Sequence, residues 1–383
     1  DAEGPGFAVA IIRDGEVLHQ ECFGLASLEH RLPISERTRF HIVSCSKTFT
    51  AAAVLLLAAR GRLDLEDCIS QHLPELPGAL FAEGPIRIRH LLAMTSGLRD
   101  GLELLRLRGV WHPSEGRTGD IMALARANPT TQFRAGSRYV YTNTNYVALE
   151  AIIERVSGLP ADDFRAREIY RPLALGDTGG RYHDGVAMVD LANPYVPDGA
   201  GGYHGATHLL GIAGDPIVSS LRDLTTWLQI WRGGRIGAVE VFGEMTAGRR
   251  ATGEAESYYG LGMALRAYRG QPVWCHSGSQ PGYKTHLAYL PDLDLGIVIL
   301  ANRNDARPAA RLPALVDALA APARLGPRAA DSADGAASAY PADGVYFDDI
   351  GHELVWLTRS EGRLEGETLG DPFTLYPGPD GIF

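Results

Sequence analysis

The chain has 383 residues, 45% hydrophobic and 21% charged, which allows two or three domains and a large buried core. Its 45 glycines and 23 prolines stay below the level of low-complexity disorder, so this is a folded globular protein. Thirty-six basic against 46 acidic residues give a net charge of −10, spread along the sequence, which argues against a nucleic-acid footprint of clustered Lys and Arg.

The N-terminus lacks the combination of basic flank, apolar stretch and small-residue cleavage site that marks a secretion signal. A cytoplasmic location is favoured, with a secreted mature form left open because Asp1 can follow a removed leader. Phe7 to Ile12 is an apolar run, Asp14-Gly15 a hairpin turn, and Val17 to Phe23 the return, so two antiparallel strands open the chain. Between Thr48 and Arg60 the apolar residues are nearly continuous, with no interior Gly or Pro, which predicts a helix buried on most sides. Its apolar stretch, Ala51 to Ala59, is the longest of the chain and far short of the ~20 residues of a membrane span. From Leu63 to Trp231, helical stretches such as Ile86 to Met94, Ile121 to Ala127 and Asn145 to Val156 alternate with Gly/Pro loops, which reads as a mostly helical insertion. Strand-like runs resume at Tyr259 to Arg266, Val273 to His276, Thr285 to Leu290 and Gly296 to Ala301, followed by a helix over Arg307 to Leu319. Residues 1–321 thus form one α+β domain. Residues 322–339 have a linker composition. Residues 340–383, with four short alternating runs, read as a small antiparallel β module.

Three constellations can carry chemistry. In Ser44-Cys45-Ser46-Lys47 the lysine lies one helical turn after the serine on the same face, so its amine can reach the Ser44 hydroxyl. A serine hydroxyl is a poor nucleophile until something takes its proton. A lysine among apolar neighbours, near the positive end of a helix dipole, has its ammonium form disfavoured and can be that base. The plain alternative is an N-cap serine with a solvated lysine. In Tyr141-Thr142-Asn143, a phenol close to a lysine can relay a proton, while Asn143 can accept from that lysine and donate to a substrate carbonyl. Here the alternative is an aromatic cluster, with Asn143 or Thr144 capping the helix behind it. In His276-Ser277-Gly278-Ser279, at a strand end, His276 can hydrogen-bond the tyrosine or the substrate, and Gly278 can let a substrate backbone approach. A packed or surface histidine is the alternative.

In this order, Ser-x-x-Lys, Tyr-x-Asn and His-x-Gly resemble the penicillin-recognising serine hydrolases, and within them the class C β-lactamase-like branch. That branch includes D-aminopeptidases, D-amino-acid amidases, esterases and D,D-carboxypeptidases. Thr95-Ser96-Gly97-Leu98-Arg99-Asp100 and Phe133-Arg134-Ala135-Gly136-Ser137 are similar to further segments of the branch, and the likeness covers about Gly6 to Leu319. It implies a β-lactamase/transpeptidase-like fold, an antiparallel sheet flanked by helices plus a mostly helical region. It also implies catalysis by Ser44, Lys47, Tyr141 and His276, with substrate contacts from Asn143, Gly278 and Ser279. The oxyanion would be held by the backbone N–H groups of Ser44 and Ser279. Histidine in place of the usual lysine of the third motif points toward the D-aminopeptidases, which carry C-terminal barrels. The module after the linker is too short for their eight strands and reads as a partial barrel.

Cys45, directly after Ser44, reads as a small buried hydrophobe, and a disulfide or redox role for Cys275 beside His276 is the lesser reading. Cys22, Cys45, Cys68 and Cys275 include no CxxC pair, so reduced thiols are expected and no zinc site is called. There is no Gly-x-Ser-x-Gly elbow. His352-Glu353 lacks the second histidine of a zinc-protease helix, and His204 and His208 sit in a glycine-rich loop that can border the cleft. No cofactor or metal is called. The expected activity is acyl transfer on a short peptide, amide or ester, best matched by a D-residue on the acyl side, with β-lactams as possible inhibitors. Carboxylesterase, D,D-carboxypeptidase, peptide-cyclising thioesterase and a non-turnover penicillin-binding receptor are the rivals. The oligomeric state is left open.

Overall fold

A computed structural model describes residues 2–107, 118–180, 187–206, 217–253 and 257–326, together with the strands 344–348, 353–360, 363–368 and 371–375. The chain forms two compact units, Asp1–Gly326 and Pro327–Phe383.

The first unit is built on an eight-stranded antiparallel sheet. Its strands are β1 (Phe7–Arg13), β2 (Glu16–Phe23), β3 (Arg250–Ala251), β4 (Tyr258–Tyr259), β5 (Ala264–Tyr268), β6 (Gln271–Gln280), β7 (Tyr283–Leu290) and β8 (Leu295–Ala301), in the spatial order β3-β4-β5-β6-β7-β8-β1-β2. The opening hairpin turns at Asp14-Gly15, both at positive φ, as a tight two-residue connection requires. β1 pairs with β8 from Phe7↔Ala301 to Arg13↔Leu295. Beyond that ladder Asn302 fastens the edge: its Oδ1 accepts from Gly6 N at 2.8 Å, and its Nδ2 donates to Leu25 O and Asn193 O, each at 3.0 Å.

One face of the sheet packs against helix α3 (Leu221–Gly233), whose Leu221, Leu224, Trp227, Leu228 and Trp231 recur at helical spacing and are buried. On the other face lies α4 (Pro308–Leu319), with Val316 set among Val273, Cys275, Ala288, Ile297 and Ile299. Behind α3 runs α1 (Ser46–Ala59), in which every residue from Ser46 to Leu57 is buried. The two are joined by Phe49 stacked on Trp227 at 4.1 Å and by Trp227 Nε1 donating to Thr48 Oγ1 at 3.1 Å. Next to α1 stands α2 (Asn143–Ser157).

The structure differs from the sequence reading in four places. The run Tyr259 to Arg266 is not one strand: it breaks into β4 and β5, because Gly260 lies against Met245 O and Gly262, at φ +91°, lies against Ala51 of α1. The helical insertion does not extend to Trp231. Ile217–Ser220 pairs with Arg39–His41 and Gly179–Gly180, and α3 serves the main sheet. β6 continues four residues beyond His276, to Gln280. Pro322–Arg324 form a 3-10 turn, with Arg324 O accepting from Gln271 Nε2 at 2.6 Å and Gly326 O from Arg269 Nε at 2.6 Å, so the first unit reaches Gly326. The rest of the expected linker, and His208 and His352, lie outside the described residues.

In the second unit, β9 (Gly344–Asp348), β10 (Glu353–Ser360), β11 (Arg363–Thr368) and β12 (Asp371–Leu375) form an open antiparallel meander in sequence order. Among the described residues no helix is long and apolar enough to cross a membrane.

Candidate active site

Ser44 sits on a 3-10 turn, Val43–Cys45, that runs directly into α1. Val43 has φ +49°, a left-handed conformation that a β-branched residue rarely adopts. The surroundings over-determine it: Ile42 N donates to Ile217 O at 3.1 Å, and Thr285 Oγ1 of β7 donates to Ile42 O at 2.9 Å. Cys45 points away from the cleft, its Sγ donating to His276 O at 3.2 Å, so it pins the turn to β6. All four cysteines are free, and burial pushes the Cys275 thiol up.

The turn lies flush on β6 because Gly278 has no side chain; a Cβ there would collide with Ile42 O and Thr285 Oγ1. The space on the Cβ side of Gly278 is thus filled by Ile42, Val43 and Thr285 of this chain. Gly278→Ala is expected to displace the turn, lowering unfolding free energy by about 1–3 kcal/mol and hydrolytic activity with it. Chemical denaturation alongside an activity assay checks this, and an unchanged variant would show that β6 and the turn are not in register as described.

Lys47 is fully buried, with Nζ 3.0 Å from Ser44 Oγ and donating to Asn143 Oδ1 at 3.0 Å. The same Nζ stands 5.2 Å from the ring centre of Tyr141 and 5.4 Å from that of Tyr146. Asn143 opens α2, and its amide is oriented by Asp100: Asn143 N and Nδ2 both donate to Asp100 Oδ2, at 2.8 and 3.2 Å. With the amino end of the amide committed to a carboxylate, the oxygen end faces Lys47. Asp100 Oδ1 meanwhile accepts from Leu102 N at 2.7 Å. The Thr95–Asp100 segment is clipped to the start of α2 by Ser96 Oγ donating to Asn145 Oδ1 at 2.6 Å and Thr144 Oγ1 donating to Arg99 O at 2.8 Å.

His276 is 3% exposed, and burial above all pushes it down to about 3, so its ring is neutral. Its Nε2 meets the Tyr259 hydroxyl at 3.0 Å, whereas its ring centre is 6.5 Å from that of Tyr141. The histidine expected to bond Tyr141 or substrate thus bonds Tyr259. The Ser279 hydroxyl accepts from Lys284 Nζ at 2.7 Å. Strand alternation puts Ser277 and Ser279 on the sheet face opposite His276 and Gly278. That leaves the Ser279 backbone, and not its side chain, for the cleft. The β5–β6 ladder ends at Ala264↔Cys275 while the β6–β7 ladder continues to Gln280↔Tyr283. Among the described residues, His276–Gln280 therefore have no strand partner on the β5 side.

The structure thus brings Ser44, Lys47, Tyr141, Asn143 and His276 to one place at the start of α1, the start of α2 and the middle of β6. Two residues were missed. Asp100 was read only as part of a motif, and Tyr259 only as a strand residue, although the aromatic followed by glycines at 260 and 262 is a signal for a broken strand beside a close contact.

The beta-lactamase family pattern matches residues 1–321, and the chain belongs to that family. It is 29% identical over 301 residues to a D-aminopeptidase of Brucella anthropi, an alignment spanning 78% of this chain and 56% of that relative, so the match covers little more than half of its length. Among solved structures, an octameric penicillin-binding protein homologue from Pyrococcus abyssi superposes with a TM-score of 0.75 at 25% identity, over 97% of this chain and 86% of its own. A D-amino acid amidase from Ochrobactrum anthropi SV3, complexed with L-phenylalanine amide, gives a TM-score of 0.66 at 25% identity over 78% and 87%. The fold is the β-lactamase and penicillin-binding-protein type, an antiparallel sheet with flanking helices.

Proposed function

We propose that the chain is a serine hydrolase that forms an acyl-enzyme on Ser44 and acts on D-amino-acid amides or on short peptides with an N-terminal D-residue. The observation that carries this reading is the buried Lys47 amine held between Ser44 Oγ and Asn143 Oδ1, each at 3.0 Å. Ser44 Oγ attacks the carbonyl as its proton passes to Lys47, and the oxyanion is held by the backbone N–H groups of Ser44 and Ser279. Tyr141, packed against Lys47, gives its proton to the leaving amine and regains one from the Lys47 ammonium. Water then attacks the ester, releases the acid and restores Ser44.

Substrate class is supported from two sides. The D-aminopeptidase relative and the D-amino acid amidase neighbour share the fold. On β6, the face bearing His276, Gly278 and Gln280 carries no charge, since His276 is neutral, so this strand offers no cation to a carboxylate beside the scissile bond. This favours amides and aminoacyl groups over peptides ending in D-Ala-D-Ala. Paired D- and L-aminoacyl p-nitroanilides, short-chain esters and D-Ala-D-Ala peptides test it. The D-anilides are expected to be hydrolysed at least about tenfold faster than the L-forms, a preference worth about 1.4 kcal/mol at the transition state. Faster ester cleavage with indifference to hand would overturn the assignment. Intact-mass measurement after exposure to a slow acyl donor or a β-lactam reads the trapped group.

A further inference from the structure

We infer that Tyr259 is a positioning residue of this site, holding His276 as a hydrogen-bond acceptor so that β6 presents a fixed, uncharged ring to Tyr141 and Lys47. The inference rests on the hydrolase reading above and adds a residue to it.

Proton counting carries the argument. His276 Nδ1 lies 2.8 Å from Ser277 O, and a carbonyl oxygen can only accept, so Nδ1 bears the ring proton. In the neutral ring Nε2 then has only a lone pair, and the Tyr259 hydroxyl, 3.0 Å away, is its donor; the same hydroxyl also hydrogen-bonds Tyr146, whose own hydroxyl reaches Leu92 O at 3.1 Å. Tyr259 and His276 are each 3% exposed, so no solvent replaces that donor. The Tyr259 side chain is itself fixed: its ring centre lies 5.6 Å from that of Tyr139 and 6.3 Å, edge-on, from that of Tyr141, and the next residue, Gly260, is backed by Met245 O. The groups facing His276 are Lys47 from α1, Tyr141 from the segment before α2 and Tyr259 from β4, whereas Arg266 of β5 and His286 of β7, paired with Val273 and Ser277, lie on the opposite face of the sheet. Burial opposes a positive ring there, and the Arg266 charge across the sheet opposes it further. With both ring nitrogens engaged, His276 has no proton to exchange with the substrate; its work is to hold the wall against which Tyr141 packs.

Two conservative variants test this in the full chain. Tyr259→Phe and His276→Gln are each expected to lower kcat about 10- to 100-fold while KM moves less than about threefold, as expected when a reacting group is misplaced. The double variant is expected to be no slower than the slower single one, because the two residues act through one bond. The acidic limb of kcat/KM is expected at the same pH in wild type and His276→Gln. Additive losses, or an acidic limb that disappears with the histidine, would overturn the inference. Spectra of 15N-histidine-labelled protein read the same bond without turnover: the His276 Nε2 resonance should be that of an unprotonated, hydrogen-bonded nitrogen down to pH 5 and should move downfield in Tyr259→Phe. An unmoved resonance counts against the inference, whereas a wild-type protein that hydrolyses nothing in the panel counts against the hydrolase reading.

Discussion

Ser44→Ala is expected to reduce kcat/KM for a D-aminoacyl p-nitroanilide by about 10⁴-fold or more, with the thermal transition unmoved. The hydroxyl is small and faces Lys47, so its loss leaves the turn, α1 and the Gly278 contact in place. Lys47→Ala is expected to cost a similar factor, and the double variant little more, since nucleophile and base act as one unit. Steady-state kinetics with a mass check on the acyl adduct decides it. A residual rate within tenfold of wild type, or an adduct on another residue, would remove Ser44 from the mechanism.

Glu150→Ala is expected to lower the unfolding free energy by about 3–5 kcal/mol, the cost of stranding a buried charge. Arg165 is fully buried, and its Nη1 donates to Glu150 Oε1 at 2.7 Å and to Thr50 Oγ1 at 3.2 Å. Glu150 lies two turns along α2 from Asn143, and Thr50 about one turn along α1 from Lys47, so this guanidinium ties together the two helices whose first residues form the site. Glu150→Leu combined with Arg165→Met removes both charges and is expected to recover most of the loss. Chemical denaturation of the three variants checks it; a single variant costing under about 1 kcal/mol would show that Asp162, 3.6 Å from Arg165 Nε, compensates the charge alone.

The grouping of the candidate site was legible because its parts are local: Ser44 and Lys47 share one helical turn, Tyr141 and Asn143 flank one helix start, and the order of the three motifs pointed to the rest. The opening hairpin, the buried α1 and the return to antiparallel strands followed from apolar patterning and turn residues. What patterning does not encode is pairing between distant segments. Nothing near Asp100 announces that one of its oxygens turns Asn143, 43 residues on, toward Lys47. The same holds for the Tyr259 hydroxyl on His276, and for the use of Gly278 to seat the Ser44 turn. The helical reading of 63–231 overran because α3 has an ordinary amphipathic pattern, which says that it packs but not upon what.

The pairing of β1 with β8 sets the timing of folding. Among the described residues the first hairpin has one neighbour in the sheet besides itself, and that neighbour lies almost 300 residues downstream, with Asn302 securing Gly6 and Leu25 behind it. During synthesis the apolar face of β1, Ala8, Ala10 and Ile12, emerges about 200 residues before α3, which packs on it, and still longer before β8. Closing so long a loop is slow, so the hairpin waits for α3 and β8 before its sheet position is fixed.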